Sequence, residues 1–232
     1  MVNQLIEIDG IRIEIIRKPI KNMHVRIYPP DGDVRVTAPL RLSLQNIQQQ
    51  LYLKRDWLHH HRTRLQALPT PTEPCMQSGE IHYFLGQAYP LTVIENTNQN
   101  RMVFNDNHFQ LHTKLHATVD EKLNSLKKWY QAQMQQVVPP LIHQWQPLLG
   151  VNVLVWGTKS MKTRWGSCNI KKQRIWLNLV LIKKPLSCLE YVLVHEMVHL
   201  LEPSHNARFH QLMDRFLPHW RTQQKSLYLT PN

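Results

Sequence analysis

The stretch from Ser187 to Leu201 constrains this chain more than any other, because it is apolar on nearly every helical face and yet carries His195, Glu196 and His199. Leu189, Leu193, Met197 and Leu200 form a stripe opposite the two histidines, and Tyr191, Val192, Val194 and Val198 fill most of the remainder. A helix apolar all round belongs in a core, whereas burying two imidazoles and a carboxylate without partners carries a heavy desolvation cost. Such a helix must be central, with its polar groups opening into a cleft. Imidazoles four residues apart leave one face, one turn above the other, so both can reach one ion at about 2.0 to 2.1 Å. Glu196 stands roughly 100° round the helix, where a carboxylate can act as general base on a metal-bound water without being a ligand.

A catalytic zinc site usually has three protein ligands and an open position. Pro203 disfavours helical backbone at Glu202, so the helix is expected to end there and to return His205 to the histidine pair. Glu202 lies two helical turns from His195, roughly 10 Å of rise, too far to share its ion. His210 belongs to a following helix. Three imidazoles with a vacant position suit one zinc ion, although the donor set admits other divalent transition metals. Ser187 and Glu190 have the spacing of a capping box, and Pro185 precedes them, which marks the helix start.

Lysine and arginine outnumber aspartate and glutamate 28 to 16, for a formal charge of +12. That excess suits an anionic partner such as nucleic acid or nucleotide, and it suits an ordinary basic surface equally well. Cys75, Cys168 and Cys188 fit no disulfide framework or zinc knuckle, which points to reduced thiols and a cytoplasmic protein. No run reaches the ~18 apolar residues of a membrane span, so no membrane association is expected.

The fold class expected is α+β, with a β-rich region over residues 1–115 and a second domain over 116–232. Alternation of Ile11, Ile13 and Ile15, of Val25 with Ile27, and of Val34 with Val36, with a turn at Pro30-Asp31-Gly32, predicts an antiparallel meander. Residues 43–67 read as one long helix capped by Ser43, with the triplet His59-His60-His61 on its surface. A Pro/Thr-rich linker covers 69–74, two hairpin regions follow at 81–94 and 102–112, and a helix over 118–148 is expected to break near Pro139-Pro140 before Gly150. No internal repeat is apparent. Val151–Trp156, Ser160–Cys168 and Arg174–Leu181 read as strands leading into the histidine helix.

Arg164-Trp165-Gly166-Ser167-Cys168, then Trp176-Leu177-Asn178, then His195 to His205 with Phe209, resemble the YgjP-like metallopeptidase family, which is related to the SprT-like and WLM-type zinc proteases. The likeness extends more loosely to residues 25–40 and to Tyr83–Leu91. It implies a zincin-like domain behind a β-rich region, with His195, His199 and His205 as zinc ligands and Glu196 as the base. Metzincins share the spacing to His205, but Glu202 replaces the glycine of their turn and no Met-turn follows.

Around that core, Arg164, Gly166, Ser167 and Asn178 are candidates for substrate binding or for support of the site. Gly166 permits close backbone approach, and Arg164 could pair with a carboxylate or phosphate, although a surface ion pair fits it as well. For Ser167 and Cys168 no nucleophile arrangement can be read, and packing is the expected role. The function expected is metal-assisted hydrolysis of a protein or peptide: zinc acidifies its water, Glu196 takes the proton and later protonates the leaving amine. By resemblance, Arg174–Leu181 is the expected docking edge for substrate. The alternatives are a nucleotide phosphoanhydride hydrolase and a nucleic-acid-associated zinc protein.

Overall fold

The structure, a computed structural model, describes residues 3–28, 32–66 and 74–229. The turn expected at Pro30-Asp31-Gly32 and the linker at 69–74 fall largely outside the described residues. The chain forms two compact units, 1–73 and 74–232, so the division lies earlier than the one expected at 115/116. The hairpins of residues 81–112 belong to the second unit, because Met76, Leu91, Met102, Phe109 and Leu111 share one core with its helices and later strands.

In the first unit, β1 (Asn3–Ile8), β2 (Ile11–Lys18), β3 (His24–Tyr28) and β4 (Asp33–Pro39) form a sheet of order β1-β2-β4-β3. The expected meander is not what forms: β2 and β4 pair in parallel at its centre, with Ile13 opposite Val34 and Ile15 opposite Val36. Burial explains the order. β2 and β4 carry the clean alternation, with Ile11, Ile13, Ile15, Val34, Val36 and Ala38 all buried, whereas no residue of β3 is, and the weakest strand goes to the edge. Ser43 caps α1 (Leu44–Tyr52) by accepting from the Asn46 N–H. The long helix expected here is broken after Tyr52: Lys54 bonds back three residues to Leu51, and α2 (Arg55–Gln66) starts afresh. His59, His60 and His61 sit at its surface.

The second unit repeats the first unit's sheet topology. β5 (Ile81–Phe84), β6 (Gln87–Ile94), β7 (Arg101–Asn105) and β8 (His108–His112) take the order β5-β6-β8-β7, again with a parallel central pair. Three hairpins in the two sheets turn through two consecutive left-handed residues, Asp9-Gly10, Leu85-Gly86 and Asp106-Asn107, as two-residue type I′ turns require. The repetition escapes sequence reading because it lies in turn geometry and pairing order, with little side-chain identity.

Helix α3 (Val119–Leu149) starts from a complete Thr118/Glu121 capping box and ends on left-handed Gly150. It passes unbroken through Pro139 and Pro140, contrary to expectation. Both prolines are exposed, and the carbonyls their rings leave unbonded belong to exposed Gln135 and Gln136, which water can satisfy. The opposite face, Tyr130, Met134, Val138, Ile142 and Trp145, is buried without interruption and holds the two halves in line.

β9 (Val155–Lys159), β10 (Gly166–Asn169) and β11 (Arg174–Asn178) form a three-stranded sheet of order β10-β11-β9. All three expected strands differ from their patterns, and of Ser160–Cys168 only the end is strand, from Gly166 on. Residues 151–154 are held by side-chain and turn bonds, such as Val153 N–H to Gln146 Oε1 at 2.7 Å, and residues 179–183 wind into a 3-10 helix. β11 lies between two neighbours, so residues 174–178 of the docking edge expected at Arg174–Leu181 are paired on both sides, residues 179–181 belong to the 3-10 helix, and β10 and β9 are the edge strands instead.

Helix α4 (Leu186–Val198) comes next. Its cap is the backbone of Pro185, with Cys188 and Leu189 N–H bonded to the Pro185 carbonyl, and the expected Ser187/Glu190 capping box does not form. Glu190 accepts instead from the Trp145 indole at 2.9 Å, across the α3–α4 contact. The β5–β6 turn fixes this helix start: Leu85 and Gly86 N–H bond the Ile182 and Lys183 carbonyls, and a Cβ on Gly86 would stand 2.8 to 3.0 Å from Pro185. α5 (Ala207–Phe216), capped by Asn206, and α6 (Trp220–Leu229) complete the unit. No described helix is long and apolar enough to cross a membrane.

Candidate metal centre

Helix α4 is buried along its length, as its composition demands, with Leu189, Leu193, Val194, Met197 and Val198 at the core. Its regular part ends at Val198, one turn before the expected stop. His199 is the C-cap, and a turn bonded from Leu201 and Glu202 back to Val198 leads to Pro203. The rival Glu202 is occupied in that turn: its carbonyl lies 3.1 Å from His199 Nδ1, and its carboxylate accepts from Ser204 N–H. A carbonyl only accepts, so His199 Nδ1 is the donor in this contact, and Nε2 is the ring nitrogen left to bind an ion.

The turn brings His205 back to the helix. His205 Nε2 lies 2.9 Å from His195 Nε2, and one donor atom from each of His195, His199 and His205 falls within 4.8 Å of the others. Among the described residues this is the one group of three or more such side chains able to hold a metal ion. His210 stays outside it, on α5, with its ring stacked on Trp220. Burial, then the neighbouring imidazoles, push His195 down to about 3, and the same causes lower His205. Both are neutral at pH 7. Neutral nitrogens 2.9 Å apart are close to the ~3.3 Å separation that two imidazole ligands of a tetrahedral zinc would have, so the residues present fit the ion.

Phe209 forms the floor of the group. Its ring centroid lies 4.9, 4.7 and 4.7 Å from those of His195, His199 and His205, and it is essentially fully buried. An aromatic plate touching all three imidazoles restricts their rotation, which is the support a metal site needs. The sequence signal is slight: Phe209 lies three residues beyond Asn206, whose side chain accepts from its N–H.

Glu196 faces Gly166 of the edge strand. A Cβ at position 166 would meet Glu196 Oε1 at 2.7 Å and Cγ at 2.8 Å, so glycine there makes room for the carboxylate. Burial raises the Glu196 carboxyl to about 8, opposed by the positive charge of Arg164. The expected support residues divide by what they touch. Arg164 acts on Glu196 through its charge, and with Ser167 it lines the cavity around the histidines. Asn178 is buried and works on the backbone: its side-chain amide donates to the Met161 and Arg164 carbonyls at 2.8 and 2.9 Å, ordering the loop that carries Arg164. Cys168 is half-buried beside Glu196, and its thiol is pushed up to about 11, which makes it a poor nucleophile.

Because the 166 backbone is pinned by pairing with Leu177, Gly166→Ala must displace the Glu196 side chain. Turnover is expected to fall by roughly 100-fold, the cost of an ångström-scale misplacement, with zinc content unchanged. Steady-state rates measured beside metal analysis check this; a fall in bound zinc would show that the contact serves the histidines instead.

Three convergent imidazoles with a buried carboxylate one residue along the same helix make a candidate hydrolytic metal centre in an α+β chain. The family comparison agrees in kind. The chain belongs to the YgjP-like family, whose metallopeptidase domain model matches residues 21–229. No match was found among the curated proteins or the solved structures.

Proposed function

We propose that this protein is a zinc-dependent peptidase in which His195, His199 and His205 hold one ion and Glu196 is the general base. The observation that carries the reading is the meeting of the three imidazoles with Glu196 in one cavity of about 450 Å³. Zinc, when bound, polarises a carbonyl and lowers the pKa of its water toward about 7. The pKa of Glu196, raised by burial to about 8 without a cation, falls under a nearby positive charge, which favours the carboxylate. A base so poised can take a proton from the attacking water and return it to the leaving amine. The unpaired side of β10, Gly166–Asn169, runs past Glu196 and offers backbone groups to an extended peptide.

The lining favours peptide over phosphoanhydride. Among the described residues around the cavity, Arg164 is the one Lys or Arg, whereas a polyphosphate site needs several cations or backbone amides. Lys184, near in sequence, is buried and lies against the Trp165 ring. The test is hydrolysis by purified protein, as isolated, zinc-loaded and chelator-treated, against unstructured peptides and a nucleoside triphosphate panel. The expected result is peptide cleavage that chelator removes and zinc restores, at one zinc per chain. Nucleotide hydrolysis without proteolysis would overturn the reading.

A further inference from the structure

The lining of the metal cavity divides chemically. Against the histidines and Glu196 stand Trp165, Ile170, Val192, Leu227 and Tyr228, none of which the hydrolytic chemistry uses. Two of them come from α6, a helix with no recognisable motif. The Trp165 and Tyr228 rings meet edge to face at 6.2 Å. Tyr228 is 61 % exposed and Ile170 is 40 % exposed. Exposed aromatic and aliphatic surface rimmed by polar groups marks a binding site more often than an idle surface, and the volume lies in the range of small-ligand pockets.

Resting on the peptidase reading above, we infer that this wall is a specificity pocket for a large apolar side chain, aromatic or long aliphatic, next to the bond that is cut. The edge strand determines the placement. A peptide paired with Gly166–Asn169 is extended, so alternate side chains point to opposite faces. The residues that flank β10 in the chain, Trp165 and Ile170, both line the cavity. A side chain directed into it therefore meets the apolar wall while its own backbone passes Glu196. A charged or very small side chain gains nothing there, and a carboxylate would lose its water against apolar surface without a dedicated partner. Burying a large apolar side chain favours that substrate by roughly 10- to 100-fold over glycine at the same position.

The test uses the zinc-loaded 232-residue chain and a set of quenched peptides that differ at one residue, with Gly, Ala, Asp, Lys, Leu, Met or Phe, and mass spectrometry to locate the cut. Cleavage beside Leu, Met and Phe with kcat/KM at least about 10-fold above Gly and Asp is expected. Tyr228→Ala and, independently, Ile170→Ser should each raise KM for the Phe peptide several-fold and shrink the Phe/Ala ratio while zinc content stays at one. Both side chains are exposed enough that folding should tolerate their loss. Cleavage with no such preference, or a preference untouched by both variants, overturns this inference alone. Absence of cleavage of every peptide by zinc-loaded protein overturns the peptidase reading and this inference with it.

Discussion

Replacing Glu196 with Gln is expected to lower peptide turnover by about 10²- to 10⁴-fold, the usual worth of a positioned proton-transfer group, while one zinc per chain should be retained. The amide keeps the size of the carboxyl, so it fits the space that Gly166 leaves, and it removes the role proposed for Glu196, that of taking a proton from water and returning it to the leaving amine. The same variant has a second signature in the metal-free protein. Burial raises the native Glu196 carboxyl from 4.5 to about 8, so its contribution to stability is complete below the unfolded value and is lost as pH rises through about 8. His195 acts in the opposite sense. With a native value near 3 against 6.5 unfolded, its contribution is complete above pH 6.5 and is lost toward pH 3. Between pH 6.5 and 8, therefore, Glu196 supplies the slope: the melting temperature of the metal-free wild type should fall across this window, and that of Glu196→Gln should be flat. Thermal melts at matched ionic strength, with chelator present, read this directly. A flat wild-type curve would mean that water reaches Glu196 and that its carboxyl is not raised.

How far residues alone reveal this site depends on whether the signal is local. The helix, its two imidazoles and Glu196 are legible because their period and their chemical conflict lie within one apolar segment. His205 is legible because Pro203 limits where the chain can go next. Gly166 is legible as a residue permitting close approach, though what approaches it, the Glu196 carboxylate, is not. Strand order is the main failure. β2 beside β4, β6 beside β8, and β11 between β9 and β10 are choices among alternatives with the same alternation, decided by which strands bury best, and with β11 at the centre its backbone is no longer open to an added strand. Pro139 and Pro140 misled because proline is judged as a breaker in an isolated helix; a continuous buried stripe from Tyr130 to Trp145 overrides it. The α6 side of the cavity carries no motif at all, since Leu227 and Tyr228 come to line it only because α6 packs beside α4.

Removing His205 should take away most of the zinc response and leave the metal-free fold intact. The two helical histidines are held by α4 whether or not an ion is present, whereas His205 is exposed on the returning turn and contributes little to the core. Its loss takes away one of the three proposed ligands. That should cost more than the roughly 10- to 100-fold in affinity that accompanies loss of an outer hydrogen bond to a ligand. For the wild type, zinc at about 100 times its Kd adds about 2.7 kcal/mol to stability, which for a unit of this size corresponds to a rise in melting temperature of roughly 5–10 °C. His205→Ala should show less than a third of that rise at the same zinc concentration, with a metal-free melting temperature within about 2 °C of wild type, since exposed substitutions rarely shift stability by more than ~0.5 kcal/mol. His199→Ala is the informative companion. It too should lose the zinc response, but it also leaves the Glu202 carbonyl without its imidazole donor and opens space beside Phe209, so its metal-free melting temperature should drop as well. Equal zinc-dependent rises in wild type and His205→Ala would place the ion on other donors and detach His205 from the chemistry.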